Sequence, residues 1–349
     1  MGRMTAPDLP PLEELLAGLR VVSIPMRVRF RGVMVREAAL LQGPSGWGEF
    51  SPFLEYPPAE SSRWLAAAIE AGWGQWPAAM RDSIPVNATV PAVAPDQVAG
   101  VLARFDGATT AKVKVAEQGQ SIEDDVCRVA AVRDAIGPGG RIRVDANGGW
   151  SVDEATDALR RLAAYGLEYA EQPCAEVSEL RELRLALARN GIAVLVAADE
   201  SIRKAADPIR VAREEAADLV VVKVAPLGGV ARALEVVADC GLPAVVSSAL
   251  DTSVGMAAGV ALAAALPDLP FACGLGTVAL LEGDVCKDSL TPRGGALPVG
   301  RAAPDEALLT RWTASAAREG WWRARVEAAH SHLTSSSDTL DEDADRRRQ

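Results

Sequence analysis

Residues 111–115 read AKVKV, 142–147 IRVDAN, 167–172 LEYAEQ, 194–200 VLVAADE and 219–223 LVVVK. Each is a short β-branched or apolar run carrying charged side chains at or near its C-terminal end, and stretches between the runs place apolar residues at helical spacing. Working outward, IPVNATV (84–90) precedes the series, and AVVSS (244–248) and FACG (271–274) follow it. The run ends fall roughly 24 to 31 residues apart, the interval of a strand–helix–strand unit. Residues 121–136, 151–165, 177–188, 208–216, 230–239 and 253–266 read as the helices between. Ser151 with Glu154 three residues on forms a capping-box pattern. Eight strands alternating with helices predict an α/β fold, a (β/α)7β TIM-like barrel over 83–283. A doubly wound open sheet is the alternative, but no G-x-G-x-x-G follows the first run.

The first 82 residues break this period. Stretches 21–29 and 32–41 read as a hairpin continued by 46–49, and 57–80 as a helix with Trp64, Trp73 and Trp76. They predict an N-terminal α+β capping domain over 1–82. The chain turns at TPRGG (291–295) and then gives one Trp-rich helix over 305–329, so 284–330 is expected to return to the capping domain. The polar, acidic segment 331–349 is expected to be a disordered tail.

Composition narrows the function. A length of 349 residues, 49% hydrophobic and 24% charged, is that of a globular protein with ample core. A net charge of -11 argues against a nucleic-acid partner. The only histidines, His330 and His332, lie near the C-terminus, which excludes a Ser-His-Asp, Cys-His or His-rich zinc site in the core. Five cysteines without a C-x-x-C pair read as buried free thiols of a reducing compartment. No basic region followed by an apolar stretch opens the chain, and 254–266 is too short to span a bilayer. A cytoplasmic protein without a membrane partner is expected. Only five of its 36 basic side chains are lysines, the type that can lose a proton.

A barrel gathers the C-terminal ends of its strands around one mouth. There Asp145, Glu171 and Asp199 would stand side by side on three consecutive strands. Each alone can be a helix cap or an ion-pair partner. Together they repel strongly unless a hard divalent cation such as Mg²⁺ binds them. Lys112 and Lys114 share one face of the strand before, and Lys223 ends the strand after. Cations crowded beside a metal lower a lysine pKa, which allows a neutral amine to take a proton next to a carboxylate.

With K-x-K at 112–114, D-x-N at 145–147, E-Q-P at 171–173, D-E-S at 199–201 and Lys223, the sequence resembles the enolase superfamily, specifically its muconate-cycloisomerase-like subgroup. GWGEFSP (46–52), NATV (87–90), VAPLGG (224–229), Ser247-Ser248 and GLGT (274–277) are similar to the o-succinylbenzoate synthase family within it. The resemblance implies dehydration of 2-succinyl-6-hydroxy-2,4-cyclohexadiene-1-carboxylate on the way to menaquinone. Asp145, Glu171 and Asp199 would bind Mg²⁺, with Mn²⁺ a substitute. Lys114 would be the base and then the acid, Lys223 would stabilise the enediolate, and Lys112 would keep Lys114 deprotonated. Glu200 would orient a ligand rather than bind metal. Asn147, Arg143 and Glu49 are weaker candidates, the first two for orienting ligands or carboxylate. Ser247, Ser248 and the backbone near Gly276 are expected to receive the succinyl carboxylate, and Met26, Phe50, Ser51 and Pro52 to form capping loops over it. The same frame serves N-acylamino-acid racemisation, dipeptide epimerisation and muconate-type cycloisomerisation. A non-enzymatic scaffold would have lost part of the set, which this sequence retains.

Overall fold

In the computed structural model, which describes residues 9–204 and 207–346, the N-terminal hairpin grows into a three-stranded antiparallel sheet. Its strands are β1 (Arg20–Phe30), β2 (Val33–Gly43) and β3 (Gly46–Phe50). The helix Pro58–Trp73 lies on this sheet so closely that a Cβ on residue 48 would come within 2.0 Å of the Ala68 carbonyl oxygen, and Gly48 is what permits it. That helix is shorter than the stretch 57–80, because Gly74 caps it and Pro77 follows.

Nine further strands follow. They are β4 (Ser83–Pro85), β5 (Ala88–Val90), β6 (Thr110–Lys114), β7 (Arg141–Asp145), β8 (Leu167–Glu171), β9 (Leu195–Ala198), β10 (Leu219–Val222), β11 (Ala244–Val246) and β12 (Ala296–Pro298). Strands β5 to β11 form one parallel sheet in chain order. The run 84–90, expected as one strand, divides at Val86–Asn87, and β4 pairs instead with β12. The eighth strand position is minimal. Cys273 bridges Val86 and Gly274 bridges Ser247. The N–H groups of Cys273 and Gly274 donate to Pro85 and Val246 carbonyls at 2.7 and 2.8 Å, so these two residues close the ring between its edges.

Between the strands lie the helices Ile122–Ile136, Val152–Leu162, Val177–Arg189, Val230–Cys240 and Ser253–Ala265. Ser151 and Glu154 form the reciprocal cap that their spacing predicts. The stretch 208–216 contributes only one turn, Arg210–Arg213. Alternation along β6 sends Ala111 and Val113 to the outer core and Lys112 and Lys114 to the axis, and all four are buried. Tyr169, Ala197, Leu219, Val221 and Val245 pack the axis beneath them. Four cysteines are buried as expected, whereas Cys127 is exposed on its helix.

Two helices, Glu306–Arg311 and Ala316–Arg346, stand where one is expected over 305–329. The break lets Ala314 N–H donate to the Val21 carbonyl at 2.9 Å, fastening the segment to β1. No Gly or Pro follows Gly320, so nothing in the sequence stops the last helix. The segment read as a disordered tail from 331 is therefore helical as far as Arg346; 347–349, like 1–8 of the capping stretch, lie outside the described residues. Trp322 of this helix packs edge-on against Phe50, ring centroids 5.8 Å apart, and its Nε1–H donates to Glu37 at 2.9 Å. Among the described residues no helix is long and apolar enough to cross a membrane. Trp322→Ala is expected to destabilise the fold by about 3–5 kcal/mol, read from urea unfolding, because it empties a buried aromatic site.

Candidate active site

Register assembles the mouth. Lys114 pairs laterally with Asp145, and Asp145 with Glu171. Lys112 Nζ lies 2.8 and 2.9 Å from the two Glu171 oxygens and 3.2 Å from Asp145 Oδ2. Lys114 Nζ donates to the same Asp145 oxygen and, at 3.0 Å, to Asn147 Oδ1. Asn147 returns its amide to the other Asp145 oxygen. Across the mouth, Lys223 Nζ is 2.5 Å from Asp199 Oδ2. The Asp199 turn is held in turn by Gln172, whose side-chain oxygen accepts the Asp199 and Ser201 N–H groups at 2.9 and 3.2 Å. All three carboxylates are at most 1% exposed.

These groups border a cavity of about 560 Å³ beneath the capping domain. Lys112, Lys114, Asp145, Asn147, Glu200, Lys223, Ser247 and Ser248 line it, while Glu171 and Asp199 lie behind the lysines. Among the described residues seven cationic side chains line it against four acidic ones, so the local field favours an anion although the whole chain carries -11. Four of the five lysines are here; Lys287 instead pairs with Asp305 at 2.6 Å. Among the described residues, four of the six non-glycine positions with positive φ, Arg31, Ala116, Asn147 and Leu250, line the cavity; Gln172 and Glu215 do not. Backbone held in this region marks segments that the surrounding structure constrains.

Burial and mutual charge set the protonation. Burial, then the charge of Arg31, brings Lys114 down to about 7 despite Asp145, so a share of it is a neutral amine near neutral pH. Burial also pulls on Lys112, but Glu171 and Asp145 outweigh it and hold Lys112 protonated. Burial lowers Lys223 against the pull of Asp199. Burial would raise Asp145, but Lys114, Lys112 and Arg31 outweigh it and hold it well below the usual carboxylate range. Burial and the Asp145 charge push Glu171 up to about 7, even with lysines beside it.

A carboxylate raised this way is stabilised by additional positive charge. The donor set is three buried carboxylates and, among the described residues, no histidine or cysteine lines the cavity, which suits a hard cation such as Mg²⁺. Among the described residues the acids do not converge as a ready cage, because their oxygens face Lys112, Lys114, Lys223 and Arg203. The residues fit the ion, and its entry would exchange some of these contacts.

Several expected residues lie elsewhere. Arg143 sits on the floor of the barrel, bonded to Glu168 at 2.5 Å, Asn87 at 3.1 Å and the Ala272 carbonyl at 2.6 Å, and stacked on Tyr169. It precedes Asp145 by two residues, which puts it one layer down the axis. Gly276 does not line the cavity; Gly274 does. Met26, Phe50, Ser51 and Pro52 do not line it either. Met26 bridges Leu281, Phe50 faces Trp322, and Ser51 donates to Glu49 at 2.7 Å, all consumed in docking the capping domain. The cap reaches the cavity through Arg29, Phe30 and Arg31 at the hairpin tip and through Phe53 and Tyr56. Phe30 places its ring 5.3 Å from Lys114 Nζ. The Arg31-Gly32 turn was a readable signal for that tip; Tyr56 and Arg203 had none that local pattern could rank.

Residues 21–72 match the model for Enolase N-terminal domain-like proteins, and residues 96–304 that for Enolase C-terminal domain-like proteins. The chain is 57% identical to an o-succinylbenzoate synthase of Thermobifida fusca, over 89% of this chain and 96% of that one. It is 56% identical to that of Mycolicibacterium smegmatis (93% and 98%) and 55% identical to that of Mycobacterium tuberculosis (95% and 99%). The chain belongs to the o-succinylbenzoate synthase family of the enolase superfamily. It is thus an enzyme of a lyase family. The chain shares its fold with the muconate lactonizing enzyme of Pseudomonas fluorescens, at TM-score 0.72, 20% identity and coverage of 85% of this chain and 98% of that one. The L-Ala-D/L-Glu epimerase of Bacillus subtilis gives TM-score 0.68 and 23% identity, with 82% and 96% covered.

In this member of the o-succinylbenzoate synthase family, Glu49 is no part of the cavity lining. It fastens the capping domain to the helix Ser253–Ala265, accepting from Thr252 N at 3.1 Å, Thr252 Oγ1 at 2.5 Å and Gly255 N at 3.0 Å. Burial, then the charge of Asp251, raises Glu49 to about 7, and burial raises Asp251 too. The folded state therefore holds these protons more tightly than the unfolded chain, and their contribution to stability falls as pH rises from about 4 towards 7. Glu49→Gln is expected to flatten that slope in urea unfolding measured at pH 5 and pH 7.5. An unchanged slope would assign the titration to another group.

Proposed function

We propose that the chain catalyses syn dehydration of 2-succinyl-6-hydroxy-2,4-cyclohexadiene-1-carboxylate to o-succinylbenzoate, a step toward menaquinone, in the cytoplasm. One observation carries this reading. Lys114 and Lys223 line one cavity and flank one row of buried carboxylates at its wall, in a chain 55–57% identical to o-succinylbenzoate synthases over most of its length.

Lys114, as the neutral amine, takes the proton from the ring carbon that bears the carboxylate. The electron pair left on that carbon forms the new ring double bond as the neighbouring C–O bond breaks. Lys114 then gives its proton to the departing oxygen on the same face, so that water leaves and the ring becomes aromatic. Lys223 sets its ammonium against the opposite face, where it meets the developing charge and then the aromatic ring. Lys112 stays protonated, holds down the Lys114 pKa and faces the substrate carboxylate. Asn147 keeps Lys114 and Asp145 in place. Asp145, Glu171 and Asp199 would hold Mg²⁺, which when bound supplies positive charge to the carboxylate where negative charge accumulates. Ser247, Ser248 and the Gly274 segment offer polar groups to the succinyl carboxylate, within a cationic wall that includes Arg29, Arg31 and Lys204.

Purified protein with Mg²⁺ is expected to form o-succinylbenzoate, to stop on addition of EDTA and to recover with excess Mg²⁺. Lys114→Ala is expected to lower kcat by about 10²–10⁴-fold with Mg²⁺ binding retained. A folded, Mg²⁺-loaded protein that leaves the cyclohexadiene unchanged would sink the dehydratase reading. N-acylamino-acid racemisation, dipeptide epimerisation and cycloisomerisation would then be assayed.

A further inference from the structure

The turn after β9 holds a side chain with no part in the chemistry above. Asp199 precedes the short helix Glu200–Arg203 without capping it through its side chain, and Arg203, four residues on, folds back over the Asp199 carboxylate. The Arg203 side chain is 4% exposed and engages three partners. Nε lies 3.2 Å from Asp199 Oδ1, Nη2 lies 2.6 Å from Glu200 Oε1, and Nη1 donates to the Tyr56 hydroxyl at 2.9 Å. Tyr56 belongs to the capping domain, in the loop between β3 and the helix Pro58–Trp73. Glu200 Oε1 also accepts from Arg31 Nη2 at 3.3 Å, at the turn between β1 and β2. One planar guanidinium thus connects a mouth carboxylate to two capping loops, and a lysine, a single point charge, cannot reproduce that fork.

The two Asp199 oxygens are divided between partners. Oδ2 faces Lys223 at 2.5 Å and Oδ1 faces Arg203, so the plane of the carboxylate is set from both sides. Groups that fix a ligand carboxylate from behind change metal affinity without touching the ion. We propose that Arg203 is the positioning residue of Asp199, fixing that carboxylate for the metal and tying its orientation to the capping domain through Tyr56 and Glu200. The inference rests on Asp199 being a metal ligand.

Metal-free protein is titrated with Mg²⁺ alone by calorimetry, with thermal unfolding recorded for each variant. Asp199→Asn tests the ligand assignment and is expected to weaken Mg²⁺ binding strongly; parental affinity there would overturn that assignment and this inference with it. Arg203→Met is expected to weaken Mg²⁺ binding by about 10–100-fold, with Arg203→Lys falling between it and the parent. Parental Mg²⁺ affinity in folded Arg203→Met, beside a weakened Asp199→Asn, overturns the inference while sparing the ligand assignment. If Arg203→Met does not fold, Arg203→Lys decides in the same way. Tyr56→Phe removes only the hydroxyl that crosses to the cap, and is expected to raise KM about fivefold with Mg²⁺ affinity within about twofold. An unchanged KM would overturn the link to the capping domain.

Discussion

Burying Asp145, Glu171 and Asp199 at the end of one barrel is the constraint on which the remaining structure depends. An isolated charge in such a place costs several kcal/mol, so each carboxylate must meet a cation at close range. Lys112, Lys114, Lys223 and Arg203 meet that demand from the flanking strands and from the turn after β9. The compensation is uneven, and the unevenness is chemically useful. Lys112, gripped by two carboxylates, stays charged, while burial, and then the charges of Arg31 and Lys112, bring the Lys114 pKa down to about 7.

The capping domain is joined to the barrel by similar means. Buried Glu70 accepts from the Val230 and Ala231 N–H groups at 2.5 and 2.9 Å, capping the helix Val230–Cys240 from the other domain. Glu49 does the same for the helix Ser253–Ala265, and the Arg36 guanidinium reaches the Leu250 carbonyl at 3.1 Å. Carboxylates at helix N-termini satisfy orphan N–H groups and suit the helix dipole. These contacts hold the hairpin tip and Tyr56 over the cavity. Residues nearer to them in sequence, Phe50 and Ser51, are spent on the joint itself.

Much of the site was legible because strands translate sequence directly into direction. A period of two decides that Lys112 and Lys114 share a face, and parallel register then sets Asp145 and Glu171 beside them. The same rule, carried one layer down, explains why Arg143 lies on the floor. Its charge made it look like a site residue, but its place two residues before the strand end determined the outcome. Capping loops obey no such period. Met26 and Arg31 belong to the same hairpin, yet one is buried against Leu281 and the other overhangs the cavity.

By itself, the sequence determined the alternation of strands and helices, the charged strand ends and the pairing of lysines with carboxylates, because these depend on local period and neighbouring register. Only the tertiary structure decided which cap residues reach the cavity, that two residues suffice to close the barrel, and that Tyr56 meets Arg203 behind Asp199. Those outcomes depend on how the two domains dock. Docking is set by helix ends, bulky side chains and close backbone approaches contributed by segments far apart in the chain, and no local pattern encodes it.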